Sequence, residues 1–412
     1  MILIFVLLYA LLGRTYDSFL ISYHPISKII YSQSLAVFVS DAIMFVMIWL
    51  LSRRFPWIVP GLLTLTAQIA LIVLWAVIAH RWYFHQFKPQ KTAVIYDVRE
   101  GMEKLIDEYG FNKKFEVVST MPVAECLERL DSLKALDTVF LSGIHSRERN
   151  IILKFCIANN VRVMVIPRIG DVIMSGAKKM HLFYLPMLMV ERRTLTPEYE
   201  FIKRVADILV SGLALIIFSP LLLITAAAIK LTDQGPVFYC QTRLTKDGKE
   251  FKIVKFRSMR VDAEKDGVAR LSSGARDYRI TPIGKIIRAC RIDELPQLIN
   301  VLKGEMSIVG PRPERPEIAA QYEKKMPEFH LRLQVKAGIT GYAQVYGKYN
   351  TTPYDKLQMD LMYIAHPSIF EDLAIMFATV KILFLPESTE GVAAGQTTAM
   401  GSDSDAKEEK AS

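Results

Sequence analysis

Three long apolar runs, residues 34–52, 57–79 and 204–229, restrict this chain more than any other feature. About 20 such residues are what a helix needs to cross the hydrocarbon core of a bilayer. Interruptions in the first two are weak: Asp41 in one, Pro60 and Gln68 in the other. Residues 1–12 are also almost wholly apolar, but lack the basic flank and small-residue cleavage site of a signal peptide. They read as a further span, shortened at its start. Arg81, Lys88 and Lys91 follow the 57–79 run, so the positive-inside tendency puts the segment after residue 80 on the cytoplasmic side.

The 204–229 run is different in kind. As one helix, residues 205–229 would be ~37 Å long, but Ser219-Pro220 divides it into pieces of ~22 and ~14 Å, neither of which crosses alone. Pro220 removes a helix hydrogen bond, and the Ser219 hydroxyl can satisfy the carbonyl so freed. Two readings stand: a kinked transmembrane helix, which periodicity favours, and a helix that enters, bends and returns to the same face.

With 412 residues there is room for two or three domains. A hydrophobic content of 51% with a net charge of +9 suits a basic membrane protein with cations at the headgroup surface. The apolar content argues against the rival reading of that charge, a nucleic-acid binder, whose binding would be salt-sensitive. Cys126, Cys156, Cys240 and Cys290 are far apart, without metal-ligand spacing, and read as free thiols.

Residues 92–192 alternate strand and helix signals: strands at 94–96, 115–118, 138–141 and 161–166, helices at 121–133 and 147–159. That alternation predicts a parallel sheet. The turn after the first strand, Asp97-Val98-Arg99-Glu100-Gly101, lacks the glycines of a dinucleotide-binding fingerprint, which favours a structural or regulatory module.

Further on, 237–243 and 250–256 flank Thr245-Lys246-Asp247-Gly248, a hairpin signal. Residues 262–280 read as a mobile loop and 387–412 as a disordered tail. Between them is the segment richest in chemistry. Asp293 and Glu294 are adjacent acids, with Lys285, Arg288 and Arg291 upstream and Arg312 downstream between two prolines. Leu295, Leu298, Ile299 and Leu302 follow at helical spacing, and Pro296 fits only a first turn, so a helix is expected to start at or just before Asp293. Two acids among cations suit a site that handles a diphosphate; an acidic N-cap on a surface helix is the plain alternative. Lys336–Gly347 contains three closely spaced glycines, either a turn or a loop whose N–H groups face a ligand. Asp360 and Asp372 can be caps or surface acids. An apolar helix is expected near 369–385.

Taken together, Ser219-Pro220, Lys255-Phe256-Arg257-Ser258-Met259, Asp293-Glu294-Leu295-Pro296-Gln297, Asn300-Val301-Leu302-Lys303-Gly304, Gly310-Pro311-Arg312-Pro313 and Gly338-Ile339-Thr340-Gly341 resemble the bacterial sugar transferase family, the monotopic phosphoglycosyl transferases. The resemblance covers about residues 200–385; the upstream part is similar to the longer members, which usually have four spans before a degenerate nucleotide-binding-like domain. It implies a membrane α-helical bundle at 1–85, a cytoplasmic α/β Rossmann-like domain at 89–195, and an α+β catalytic domain at 197–386 whose helix at 204–229 is re-entrant at Ser219-Pro220. It further implies transfer of a sugar 1-phosphate from a UDP-sugar to undecaprenyl phosphate, releasing UMP, at the cytoplasmic face of the inner membrane, as the first membrane step of exopolysaccharide, capsule or O-antigen synthesis.

In that family pattern Asp293 matches the nucleophile that forms a phosphosugar-aspartyl intermediate, and Glu294 the ligand of Mg²⁺. Lys255, Arg257 and Arg288 match cations of the site, Arg312 a nucleotide-phosphate contact, and Asp360 and Asp372 further acids. A catalytically inactive membrane scaffold of a polysaccharide assembly complex is the alternative, and a homo-oligomer is left open. The choice of sugar is expected to lie with residues 262–280 and 342–354.

Overall fold

The computed structural model describes residues 1–192, 195–260, 279–347 and 351–383. The loop expected at 262–280, except its last two residues, the tail at 387–412, and residues 348–350 lie outside the described residues. The chain forms two compact units, Met1–Ile166 and a second that begins at Pro167.

In the first unit, helices α1 (Ile2–Thr15), α2 (Ile26–Ser52) and α3 (Ile58–Gln86) pack in sequence, α1 on α2 and α2 on α3. The last two are long and apolar enough to cross a membrane; α1 is shorter. Two buried polar side chains of the bundle have backbone partners: Gln33 donates to the Ser18 carbonyl at 3.1 Å and Ser40 to the Ala36 carbonyl at 2.7 Å. In a bilayer such bonds lower the cost of burying polar groups.

The expected strands form as β1 (Gln90–Tyr96), β2 (Phe115–Pro122), β3 (Thr138–Ser142) and β4 (Arg162–Val165), a parallel sheet of order β2-β1-β3-β4. Ala93, Val94 and Ile95 of the inner strand β1 are all buried, because helices cover both faces. On one face Ile95 and Leu141 pack with Cys126, Ile152 and Cys156 of α5 (Val123–Glu128) and α6 (Ser146–Ala158). Opposite, Val94 and Phe115 pack with Ile106 of α4 (Met102–Glu108). A sheet of this order takes ligands at the carboxyl ends of β1 and β3. Here the chain closes on itself at that point. Gly143, with φ +66, lies so close to Arg99 that a Cβ would sit 2.7 Å from its nitrogen, and Ser142 donates to the Arg99 carbonyl at 2.9 Å.

The second unit begins with α7 (Ile169–Ser175), whose Ile169 and Val172 enter a core with Val309, Ile318, Tyr322, Phe329, Leu357, Leu361 and Ile375. A hairpin of β5 (Lys178–Leu182) and β6 (Leu185–Met189) follows, which the sequence did not announce. Its turn, Phe183-Tyr184, has neither Gly nor Asn, yet both residues are left-handed, at φ 54 and 60. The foreseen hairpin pairs β7 (Phe238–Leu244) with β8 (Glu250–Phe256), and Asp247 and Gly248 supply left-handed φ values of 61 and 72.

Helix α8 (Pro197–Asp233) is continuous, with Pro220 in its interior. Pro220 has no N–H for the carbonyl of Ile216, and the Ser219 hydroxyl donates to that carbonyl instead, at 2.8 Å. Both flanks of α8 pack on the second unit. Arg204 donates to the Val301 and Leu302 carbonyls at 2.7 Å each, and the buried Asp207 accepts from the Ile308 N–H at 2.9 Å. Beyond Pro220, Leu222, Ala226 and Ile229 pack on Phe256 and Ile287. Between these contacts Leu213, Ile216, Ile217, Leu223 and Ile224 are exposed.

The remaining elements are α9 (Pro282–Ala289), α10 (Gln297–Lys303), β9 (Ser307–Val309), α11 (Pro316–Lys325), β10 (Gly338–Thr340), α12 (Tyr342–Tyr346), α13 (Pro353–Ala365) and α14 (Ile369–Leu383). The glycines of the 336–347 segment serve a close approach. β10 pairs in parallel with β9, the Gly338 N–H donates to the Pro311 carbonyl at 2.9 Å, and a Cβ on Gly338 or Gly341 would collide with the backbone of Gly310.

Candidate active site

Asp293 and Glu294 do not begin an α-helix as expected. They form a 3-10 turn, Ile292–Glu294, and α10 starts only at Gln297. The cause is Pro296, which has no N–H to give the Ile292 carbonyl; the Leu295 N–H takes it at 3.2 Å, closing the tighter turn. With about three residues per turn the two carboxylates diverge by ~120°, so they face different neighbours.

Glu294 is the centre of a cluster of cations. Its Oε1 accepts from Lys255 Nζ and from an Arg312 Nη, each at 3.0 Å, while Arg291 stands 4.0 Å from Oε2. Its side chain is 14% exposed. Burial pushes the Glu294 carboxyl up, but Lys255, Arg312 and Arg291 outweigh it and hold it below the usual carboxylate range. Asp293 goes the other way. Burial, then the Glu294 charge beside it, raise it to about 6, against the opposing pull of Lys255, Arg288 and Arg312. Burial lowers Lys255 below its ordinary value, with Glu294 pulling it back up. Two neighbouring acids are thus driven apart in acidity, an arrangement typical of sites where each has its own task.

Several elements deliver these groups. Lys255 shares a face of β8 with the buried Phe251 and Ile253. Asn300 of α10 fixes β8 to the helix that follows the dyad: its Oδ1 accepts from the Val254 N–H at 3.0 Å, and its Nδ2 donates to the Lys252 carbonyl at 2.8 Å. Arg288 and Arg291 come from the end of α9 and the left-handed residue after it.

The other expected site residues sit elsewhere. Arg257 is buried against the chain leaving α8, where a Cβ on Gly235 would collide with its guanidinium. Asp372 accepts from Tyr199 (2.8 Å), Lys203 (2.8 Å) and Tyr363 (2.7 Å), tying the start of α8 to α13 and α14. Asp360 forms an ion pair with Arg332 at 2.7 Å, both buried, and burial raises it to about 6 despite that partner. Arg332 and Arg243 were not anticipated; nothing in their local sequence marks them, since their partners are distant in the chain.

Among the described residues no group of three or more His, Cys, Asp or Glu side chains is gathered as for a metal. Magnesium needs less: one or two carboxylates plus substrate phosphates and water. An ionised Glu294, with Oε2 farther from its cation than Oε1, fits that donor set.

The bacterial sugar transferase family model matches residues 198–386. The chain is 44% identical over 191 residues to the UDP-N-acetylgalactosamine-undecaprenyl-phosphate N-acetylgalactosaminephosphotransferase of Aeromonas hydrophila, covering 46% of this chain and 45% of the relative. It is 44% identical over 191 residues to the UDP-glucose:undecaprenyl-phosphate glucose-1-phosphate transferase of Klebsiella pneumoniae, covering 45% and 41%. Against the exopolysaccharide production protein PSS of Rhizobium leguminosarum bv. phaseoli the identity is 43% over 188 residues, covering 43% of this chain and 93% of that one. The chain belongs to the bacterial sugar transferase family. Its match spans less than half the length of the first two relatives.

Proposed function

We propose that this chain transfers a sugar 1-phosphate from a UDP-sugar to undecaprenyl phosphate and releases UMP. The observation that carries the reading is the split pair: an ionised, cation-held Glu294 directly beside Asp293, which keeps its proton up to about pH 6. Above that pH Asp293 is an anion able to attack. A carboxylate oxygen bonds to the β-phosphorus, the bond from that phosphorus to the bridging oxygen breaks, and UMP leaves with the oxygen. An oxygen of undecaprenyl phosphate then bonds to the same phosphorus and displaces the Asp293 carboxylate.

Arg312 and Lys255, placed by Glu294, would face the donor phosphates, with Arg288 beside Asp293; a guanidinium fork suits such oxygens. Glu294 would hold a magnesium ion, which when bound supplies neutralisation of phosphate charge. A lipid acceptor requires the site at headgroup level. A re-entrant α8 supplies this: its two flanks pack on the same unit while the residues around Pro220 are apolar and exposed. The same reading puts the catalytic unit on the cytoplasmic face of the inner membrane and makes the parallel-sheet module a Rossmann-like domain without a nucleotide fingerprint.

With a UDP-sugar radiolabelled in the β-phosphate, wild-type protein is expected to acquire label in the absence of acceptor and Asp293→Asn none. Equal labelling of both would end the nucleophile assignment.

A further inference from the structure

Arg312 is mounted on an unusual support. Pro311, Pro313 and Pro316 have no N–H to donate, so half of the backbone donors of residues 311–316 are missing. Its carbonyls are held from outside instead. Arg332 Nη2 donates to the Arg312 carbonyl at 2.8 Å, and Arg243 Nη1 to the Pro313 carbonyl at 3.1 Å. Each guanidinium is oriented in turn. Arg332 pairs with Asp360 at 2.7 Å and lies 4.9 Å from the Phe329 ring centre, while Arg243 also donates to Gln241 Oε1 at 2.7 Å. Glu314 stands between them, 3.7 Å from Arg332 and 3.9 Å from Arg243. The far side of Arg312 reaches Glu294.

We infer that Arg332, oriented by Asp360, and Arg243 are positioning residues that set where Arg312 stands over the dyad, and that Asp360 acts through Arg332 rather than on a substrate. This rests on the proposed function for the identity of the ligand, a uridine diphosphate group. Arg332 Nη2 stands at both the Arg312 carbonyl and the Asp360 carboxylate while its Nη1 is turned to Glu314 Oε1 at 3.7 Å; a lysine keeps one charge opposite Asp360 but replaces this planar fork by a single, unoriented nitrogen.

The test is a double-mutant cycle on the detergent-solubilised full chain, with UDP as the probe and its dissociation constant as the readout. Arg332→Lys is expected to weaken UDP about tenfold, the loss of one charge-assisted hydrogen bond. In an Arg312→Ala background the same change is expected to cost less than twofold, since two residues acting as a unit are not additive. Asp360→Asn is expected to behave likewise. A purely structural role predicts equal losses in both backgrounds, and that result overturns the inference while leaving the proposed function intact. Wild-type protein that binds no UDP overturns both. Thermal unfolding midpoints accompany each variant; should Arg332→Lys not fold, the same cycle with Arg243→Lys decides by the same criteria.

Discussion

At Asp293 the decisive property is a proton. Its carboxyl titrates near 6, raised by burial and by Glu294 and restrained by Lys255, Arg288 and Arg312. The attacking form is the anion, so UMP release in a single turnover should fall as pH drops through about 6. Removing a restraining cation raises Asp293 further. Lys255→Met should therefore move the acid limb of that profile to higher pH as well as slowing the reaction; an unmoved limb would disconnect Lys255 from the nucleophile. Much of this was legible in the chain: adjacent acids among cations, and a lysine that the family resemblance matched to the site. The partners of Asp360 and Asp372 were not. Asp372 binds Tyr199 and Lys203, and Asp360 binds Arg332. Both are contacts made by tertiary folding, and no local spacing encodes them.

Local physical chemistry decided most of the elements. Apolar runs became helices, alternation became strands, and Asp-Gly became a hairpin turn. It failed where a rule was satisfied by other means. The β5–β6 turn uses two aromatic residues in left-handed conformations, which no turn signal flags. Pro296 was assigned to a first helical turn, yet its missing N–H delays the helix instead. Helix α8 could not be settled by periodicity, because whether it crosses or returns depends on what its flanks bind. Asp207 is the testable part. It is 5% exposed and accepts from Ile308 N–H and Ser307 Oγ, so Asp207→Ala leaves two inward donors unmet. The loss should be about 2 kcal/mol, read as a lower unfolding midpoint in denaturant. An unchanged midpoint would mean that α8 is held to β9 by other contacts.

For the molecule in its membrane, the question is which side each unit occupies. Cys126 and Cys156 are buried, whereas Cys240 on β7 and Cys290 after α9, both beyond α8 in the chain, are exposed. If α8 returns to the cytoplasmic face, an impermeant thiol reagent should modify neither exposed cysteine in intact spheroplasts and both in inside-out vesicles. Modification of Cys240 from outside would mean that α8 crosses. The sequence supplied the runs and the positive charges behind this test, but not the choice between crossing and returning.

The seam between Gly310 and Gly338 has one more consequence. There, main chain rests on main chain, with no side chain between to change rotamer and absorb an error. Two residues after that seam comes Arg312. A single methyl group at Gly338 would act as a shim, lifting the proline-rich strap and carrying the guanidinium off its carboxylate without altering one polar atom of the site.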